Sequence, residues 1–506
     1  QDQHEHPLQP STMYHNPYSH NRVYWLTFAG DFPGNPLRMS TESAAQNWDE
    51  EYNYHREVVH VEEETHRREQ IGLLWYMTRM TGRTTTDYSM EVNLPDLLPS
   101  PDNTLAIRMR QESESSNFMH KMNILVNDIP QNAPNHSQDF TWYSTSVYEA
   151  TIDSTAFTAG TNRIKFRIIR SNVQDNLLLD YYRITYNRKL QKSNVQYRLN
   201  SFDSQSQKFV FSGASDNLSI YRVRDDYTVS MLPYQSINQG FSFIANNANA
   251  QSFYVSKADE LYAPVSAQRV TPSILTNPTT PIQSVIVTPE AFKAQAEQLA
   301  QMYEQNWSLS TKVVLQEDIF NHFTGGHPDP AAIRQYVRYL YYNAPAPKIQ
   351  SLVLLGLGTL DWRDYSGVAA PKNQIMVYQT PLTSTPNVSD DYFAMISSIN
   401  YPEIMVGRYP VRNTTELTTM LSNFQNYTQN PKPGHWRNSI VTLADDFMNG
   451  DNTNDSLHTS DLQSLSILLH PSISNVKIFA EDYEYDQFLK KPKVRDDVFK
   501  NINEGK

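Results

Sequence analysis

The chain has no cysteine among its 506 residues. Disulfides, thiolate metal sites and a cysteine nucleophile are therefore excluded within these residues. No apolar run reaches the roughly 18 residues that a membrane-spanning helix needs. There is no basic block either: 42 Lys and Arg stand against 54 Asp and Glu, a formal net charge of -12. That balance argues against nucleic acid, which is held mainly by Lys and Arg neutralising phosphates. The first residues, Gln1-Asp2-Gln3-His4, lack a Met and a basic-then-apolar leader. They read as a mature end left by signal cleavage, or as the edge of a piece.

Hydrophobic residues make up 39% and charged residues 19%, enough apolar material for real cores. Aromatics reach 12%, with 31 Tyr, which suits half-buried pleated surfaces and predicts much β structure. The length predicts about three domains.

Residues 1–65 are polar and rich in His, Asn and Tyr and read as an arm, with one short strand candidate at Val23–Phe28. Residues 66–200 read as an antiparallel β-sandwich. Asn162–Arg170 alternates apolar and charged residues, and Leu177–Tyr186 follows after a polar turn, closed by Asn187-Arg188-Lys189. Residues 201–282 continue as a second β-rich region, with strand candidates at Phe209–Phe211, Leu218–Val223 and Gln251–Val255. The proline-bearing stretch Thr271–Pro281 marks a boundary. From residue 283 short apolar strands alternate with helical periodicity. Val285–Val287 is a strand, and Thr288 and Pro289 open a helix. Thr311–Leu315 and Leu352–Leu355 are strands either side of a helix opened by Asp329-Pro330. Ile404–Val406, Ser439–Leu443 and Val476–Phe479 are further strands, separated by helices near Glu416–Tyr427 and Ser460–Leu469. A last helix near Val494–Ile502 stops before Gly505. This alternation predicts a mostly parallel sheet with helices on its faces.

Several stretches in residues 283–506 stand in an order that carries a resemblance. They are Val287-Thr288-Pro289-Glu290, Glu317-Asp318-Ile319-Phe320 and Gly325–Arg334. More specific are Ser389-Asp390-Asp391-Tyr392-Phe393 and Val406-Gly407-Arg408-Tyr409-Pro410, followed by Trp436-Arg437-Asn438 and Ala444-Asp445-Asp446. In these the sequence resembles the gingipain-like cysteine peptidases, family C25, and among them the cell-surface sortases of type IX secretion. The resemblance implies a caspase-like α/β domain whose Cys and His sit on loops at strand ends. By the family's spacing the His would fall just beyond Lys506 and the Cys further on. Residues 283–506 are therefore expected to be an incomplete domain without its dyad, inactive alone. The acidic residue that orients the catalytic His in gingipains matches Asp445 or, less well, Asp446. A carboxylate there would fix the His tautomer.

The sequence departs from the family at Gly356-Leu357-Gly358, where gingipains carry Gly-Asp, and at Ile399, beside the matching Tyr401 and Glu403. Losing a carboxylate weakens a calcium site, so no metal or other cofactor is expected. The implied activity is cleavage of C-terminal signals from secreted cargo and transfer of the cargo to an anchor. The implied partners are a PorV-like outer-membrane β-barrel, other type IX components and the cargo, at the outer face of a bacterial outer membrane.

Other readings stay open. His55, His60 and His66 with Glu62, Glu63 and Glu64 suggest a metal site, but the spacing does not share a helical face and a solvated loop is expected. Asp451–Asp455 is loosely calcium-loop-like, and Gly356-Leu357-Gly358 lacks the third Gly of a dinucleotide loop. Trp25, Trp75, Trp142 and Tyr143 suit either a β core or a carbohydrate or partner site, and a carbohydrate-binding module in residues 66–200 is a third reading. A non-catalytic docking scaffold for an outer-membrane partner is the alternative to the enzyme.

Overall fold

The computed structural model describes residues 16–26, 39–67, 73, 75–82, 85–111, 119–133, 139–143, 147–169, 175–193, 196–202, 206–213, 216–224, 228–246, 251–271, 273–379, 388–397, 400–446, 457–488 and 490–505. They divide into two compact units, Gln1–Glu304 with Leu309–Arg412, and Gln305–Ser308 with Asn413–Lys506.

The first unit begins with two β-sandwiches. In the first, one sheet runs Ile129–Pro130, Met119–Val126, Gly160–Ile168, Thr86–Leu94, and the other Val147–Asp153, Thr104–Gln111, Asp175–Lys189, Tyr54–Val61. All these pairings are antiparallel. The predicted alternation holds: Ile164, Phe166 and Ile168 are buried against Met122, Ile124 and Leu179, and the charged residues between them face out. Asn162 breaks the polar-out rule. It is buried because its amide bonds Thr158 and Gly160 carbonyls at 2.7 and 2.9 Å and takes the Thr158 N–H, satisfying a tight turn.

Two expectations are corrected here. Residues 1–65 are not arm alone: Tyr54–Val61 is a strand, and Val23–Leu26 is not, with residues 27 and 28 lying outside the described residues. Asn187-Arg188-Lys189 does not close off the strand at Leu177 but forms its last three residues, paired with Arg56, His55 and Tyr54. Arg188 holds it there, bonded to Glu57 at 2.9 Å with its guanidinium 4.5 Å from the Tyr197 ring. A register shift between Leu179 and Tyr181 marks a bulge at Asp180.

The second sandwich packs the sheet of Gln207–Gly213 and Gly240–Ala245 on that of Tyr197–Asn200, Ser219–Val223, Val229–Leu232 and Ser252–Ser256. Its core is aromatic: Phe209, Phe211, Phe241, Phe243 and Phe253 are buried together, with Phe211 and Phe241 stacked at 4.7 Å.

The α/β part of the first unit contains β1 (Ser284–Thr288), α1 (Lys293–Trp307, of which Gln305–Trp307 belong to the second unit), β2 (Thr311–Leu315), α2 (Gln316–Phe323), α3 (Pro330–Asn343), β3 (Ser351–Leu355), α4 (Asp391–Ala394) and β4 (Met405–Tyr409). The sheet order is β2-β1-β3-β4, all parallel. Burial on both faces explains why Val285–Val287 in β1 and Leu352–Leu355 in β3 are unbroken apolar runs. Asp329 caps α3 by accepting the Ala331 N–H at 2.7 Å, with Pro330 at the first position. Thr288, expected as a cap, is instead the last strand residue, and α1 starts only after a 3-10 turn at Glu290–Phe292.

The second unit holds α5 (Thr414–Gln429), β5 (Ser439–Ala444), α6 (Leu457–Ile467), β6 (Ser474–Phe479) and α7 (Pro492–Asn503). Asn413 caps α5 through the Glu416 N–H at 2.9 Å. β5 and β6 pair in parallel from Ser439–Ser474 to Ala444–Phe479. Among the described residues no helix is long and apolar enough to cross a membrane.

Arg408 on β4 ties the long loop after β3 to the sheet. Its guanidinium meets both Asp390 oxygens at 2.8 Å and donates to the carbonyls of Gly356, Ile375 and Met376. A lysine offers a point charge in place of this planar fork. Arg408→Ala is expected to lower unfolding free energy by about 3 kcal/mol by leaving Asp390 half-buried and unpaired. Arg408→Lys should recover less than half of that in urea titrations. Full recovery by lysine would show that charge alone is needed.

Candidate functional site

In open parallel sheets, ligands gather beyond the carboxyl ends of the strands. In the first unit that end is built by the loop after β3 and by α2, which leaves β2 directly. Gly356 lies at φ +147°, and a Cβ on it would stand 2.6 Å from the Gln374 Cβ. A Cβ on Gly358 would meet the Ile375 carbonyl at 2.4 Å. These glycines serve close packing of residues 374–377 on the strand end, not a dinucleotide pyrophosphate. Gln316, at the start of α2, is buried and donates to the Gln374 carbonyl at 2.6 Å. Asp361 takes the N–H groups of Tyr365 and Ser366 at 2.9 and 2.8 Å and closes the next turn.

Glu403 does not face an open ligand shell. Its carboxylate takes the Ile396 N–H at 2.7 Å, the Ser397 N–H at 2.5 Å and the Ser397 hydroxyl. Ile399 and the Asp451–Asp455 loop lie outside the described residues. A shallow cleft of about 610 Å³, lined by Gln350, Asp391, Glu403, Ile404 and Met405, opens at the amino ends of β3 and β4. That is the end of a parallel sheet opposite to the one where substrates bind.

In the second unit Asp445 follows β5 directly, at the carboxyl end of that strand, and is exposed. It accepts the N–H of Asp446 at 2.9 Å. Asp446 points elsewhere: it pairs with Lys491 at 3.1 Å and takes the Tyr485 hydroxyl at 2.6 Å, which raises that phenol above its ordinary pKa. Of the two candidates, Asp445 is the one that presents its carboxylate to solvent at the strand end.

The histidine cluster is not the solvated loop that was expected. His55 and His60 lie on the strand Tyr54–Val61, opposite Arg188 and Arg183, and His66 pairs with Tyr76 on a short ribbon. Five residues apart, His55 and His60 fall on opposite faces of the strand. His55 is buried, which pushes its pKa down to about 3, helped by the positive charge of Arg188. His60 bonds Glu62 at 2.7 Å. Two of the glycan candidates are engaged: Trp75 packs on Tyr365 at 4.5 Å, and Trp25 donates to the Gly325 carbonyl at 2.9 Å. The side chains of Trp142 and Tyr143 lie outside the described residues.

A group that sequence reading missed is Arg363, on the loop after β3. It bonds Glu64 of the first sandwich at 2.6 Å, and both are nearly buried. Burial pushes the Glu64 carboxyl up to about 7, against the pull of Arg363, with Glu62 adding to the rise. Only a lone arginine after Asp361-Trp362 signals it in the sequence.

Residues 277–506 match the family model described as Peptidase family C25, so this part of the chain is similar to that family. The fold is similar to that of a particular solved structure, dimeric latent PorU from Porphyromonas gingivalis. That structure is similar at a TM-score of 0.61 and 20% identity, over 79% of this chain and 40% of that chain. The chain thus spans 40% of the length of that structure. The CBM36-1 domain of a xylanase from the hindgut metagenome of Trinervitermes trinervoides overlaps 25% of this chain and 96% of that one at 14% identity. Its TM-score of 0.18 carries no argument. No curated protein matches the chain.

Asp180 gives a pH prediction. Burial at the bulge pushes its carboxyl up to about 7, although Arg108 lies 3.3 Å away, and Glu62 and Glu149 add to the rise. A carboxyl whose folded pKa exceeds its unfolded value favours folding when protonated. Its contribution is full below the unfolded pKa and is lost as pH rises toward 7. Asp180→Asn, which stays neutral, should flatten the fall in denaturation midpoint between pH 5 and pH 8. An unchanged slope would mean that Asp180 is charged throughout.

Proposed function

We propose that this chain is the N-terminal portion of a PorU-type cysteine endopeptidase and transpeptidase of type IX secretion. The observation that carries the reading is the likeness of fold to latent PorU over 79% of this chain, together with the match of residues 277–506 to the C25 family model. These 506 residues hold no cysteine, so in this reading the nucleophile is supplied by sequence outside them. The chemistry is acyl transfer: a thiolate attacks the cargo carbonyl, backbone N–H groups hold the oxyanion, and a second nucleophile releases the acyl group. Asp445, exposed at the end of β5, is proposed to orient the catalytic His. It would fix the tautomer in which the other ring nitrogen takes the thiol proton. The cargo would carry C-terminal signals. The sandwiches would dock on a PorV-like β-barrel at the outer face of the outer membrane.

Cells whose full-length protein is deleted should accumulate cargo that retains its C-terminal signals, read by mass spectrometry of secreted proteins. Normal processing in those cells would remove the sortase reading. In the full-length protein Asp445→Asn should lower kcat for signal release on the order of 10²-fold at unchanged stability, the usual scale for an acid–base partner. Asp446→Asn should act on stability instead, since it loses its pair with Lys491. Wild-type turnover in Asp445→Asn would remove the acid from the mechanism.

A further inference from the structure

Residues 16–26 lie across the α/β part of the first unit with no strand pairing and no helix. Asn16 folds the start of the segment by taking the Tyr18 and Ser19 N–H groups at 2.8 and 3.1 Å. Tyr18 then enters the α/β core with Ile375, Met376 and Phe393, and only 7% of it stays exposed. Burial, then the negative charge of Asp329, pushes its phenol well above the ordinary value. Arg363 grips the segment on both sides of Tyr18. It donates to the Asn16 carbonyl and to His20 Nδ1, both at 2.9 Å, and His20 Nε2 returns a bond to the Arg363 carbonyl at 3.1 Å. Farther along, Val23 packs where Gly326 has no side chain: a Cβ there would stand 2.8 Å from Val23 Cγ1. Trp25 donates to the neighbouring Gly325 carbonyl at 2.9 Å.

The contacted surface is made of the loop after β3 and the loop between α2 and α3. Both stand on the carboxyl side of the parallel sheet, where such sheets take ligands. One buried aromatic anchor, an arginine on a backbone carbonyl near it, and Gly326, which admits Val23 at close range, make a peptide-reading surface. The occupant is held weakly along most of its length. Residues 20–26 are all exposed, and a segment with so few buried contacts opens at low cost.

We propose that this surface is a binding site for an aromatic-bearing peptide segment, and that residues 16–26 are a displaceable ligand occupying it in cis. Being part of the same chain, the segment has a high local concentration and keeps other peptides out until it is released. The proposal does not depend on the peptidase reading.

The test uses a fluorescein-labelled peptide of residues 16–26, read by anisotropy, with the 506-residue chain and a chain lacking residues 1–26. The shortened chain should keep a cooperative melt and bind the peptide saturably. The 506-residue chain should bind it at least about tenfold more weakly, and a peptide carrying Tyr18→Ala should lose about tenfold on the shortened chain, the scale of a buried aromatic hot spot. No saturable binding to a shortened chain that melts cooperatively would overturn the site. Equal binding by the Tyr18→Ala peptide would overturn the anchor and with it the site. A shortened chain that no longer melts cooperatively would make residues 16–26 a structural staple, and would overturn their role as a displaceable ligand.

Discussion

The ion pair between Arg408 and Asp390 is the constraint on which the α/β part of the first unit depends. A parallel sheet must return each strand to the same end, and between β3 and β4 the chain makes that return through a long connection whose described residues include the short helix α4. Such a loop carries backbone carbonyls that lack ladder partners. Arg408 supplies donors for three of them and holds both oxygens of Asp390 as well. The two most specific stretches of the sequence, around Asp390 and around Arg408, each contribute one half of this contact.

The same device recurs where modules of the first unit meet. Lys192, fully buried, holds Glu260 at 2.7 Å and fixes the turn that leaves the second sandwich. Arg363 holds Glu64 and so joins the first sandwich to the loop after β3. Such pairs add little net stability over a well-packed apolar contact, because each charge has been taken out of water. Their value is positional: an ion pair with several hydrogen bonds fits one geometry. The raised carboxyl of Glu64 shows the cost of that choice at the junction.

How much of this was legible varies by residue. The period-two run at Gly160–Ile168, the apolar stretches of β1 and β3, and the helix opening at Asp329-Pro330 all follow from local rules. The strand Tyr54–Val61 did not, because its charged members hide the alternation. Glu57 and His60 meet Arg188 and Arg183 across the sheet, and those partners are more than a hundred residues away. α2 was missed because it leaves β2 at Leu315 with no capping side chain to announce it. Asp445 was singled out by resemblance, and the structure places it, exposed, directly after β5. Arg363 has no local pattern at all, since its role is set by Glu64, Asn16 and His20.

The functional account is most directly tested by thiol alkylation of the full-length protein, followed by release of C-terminal signal from a purified cargo. The account predicts that iodoacetamide abolishes release while the protein stays folded. Undiminished release after complete alkylation would contradict a cysteine peptidase built on this fold.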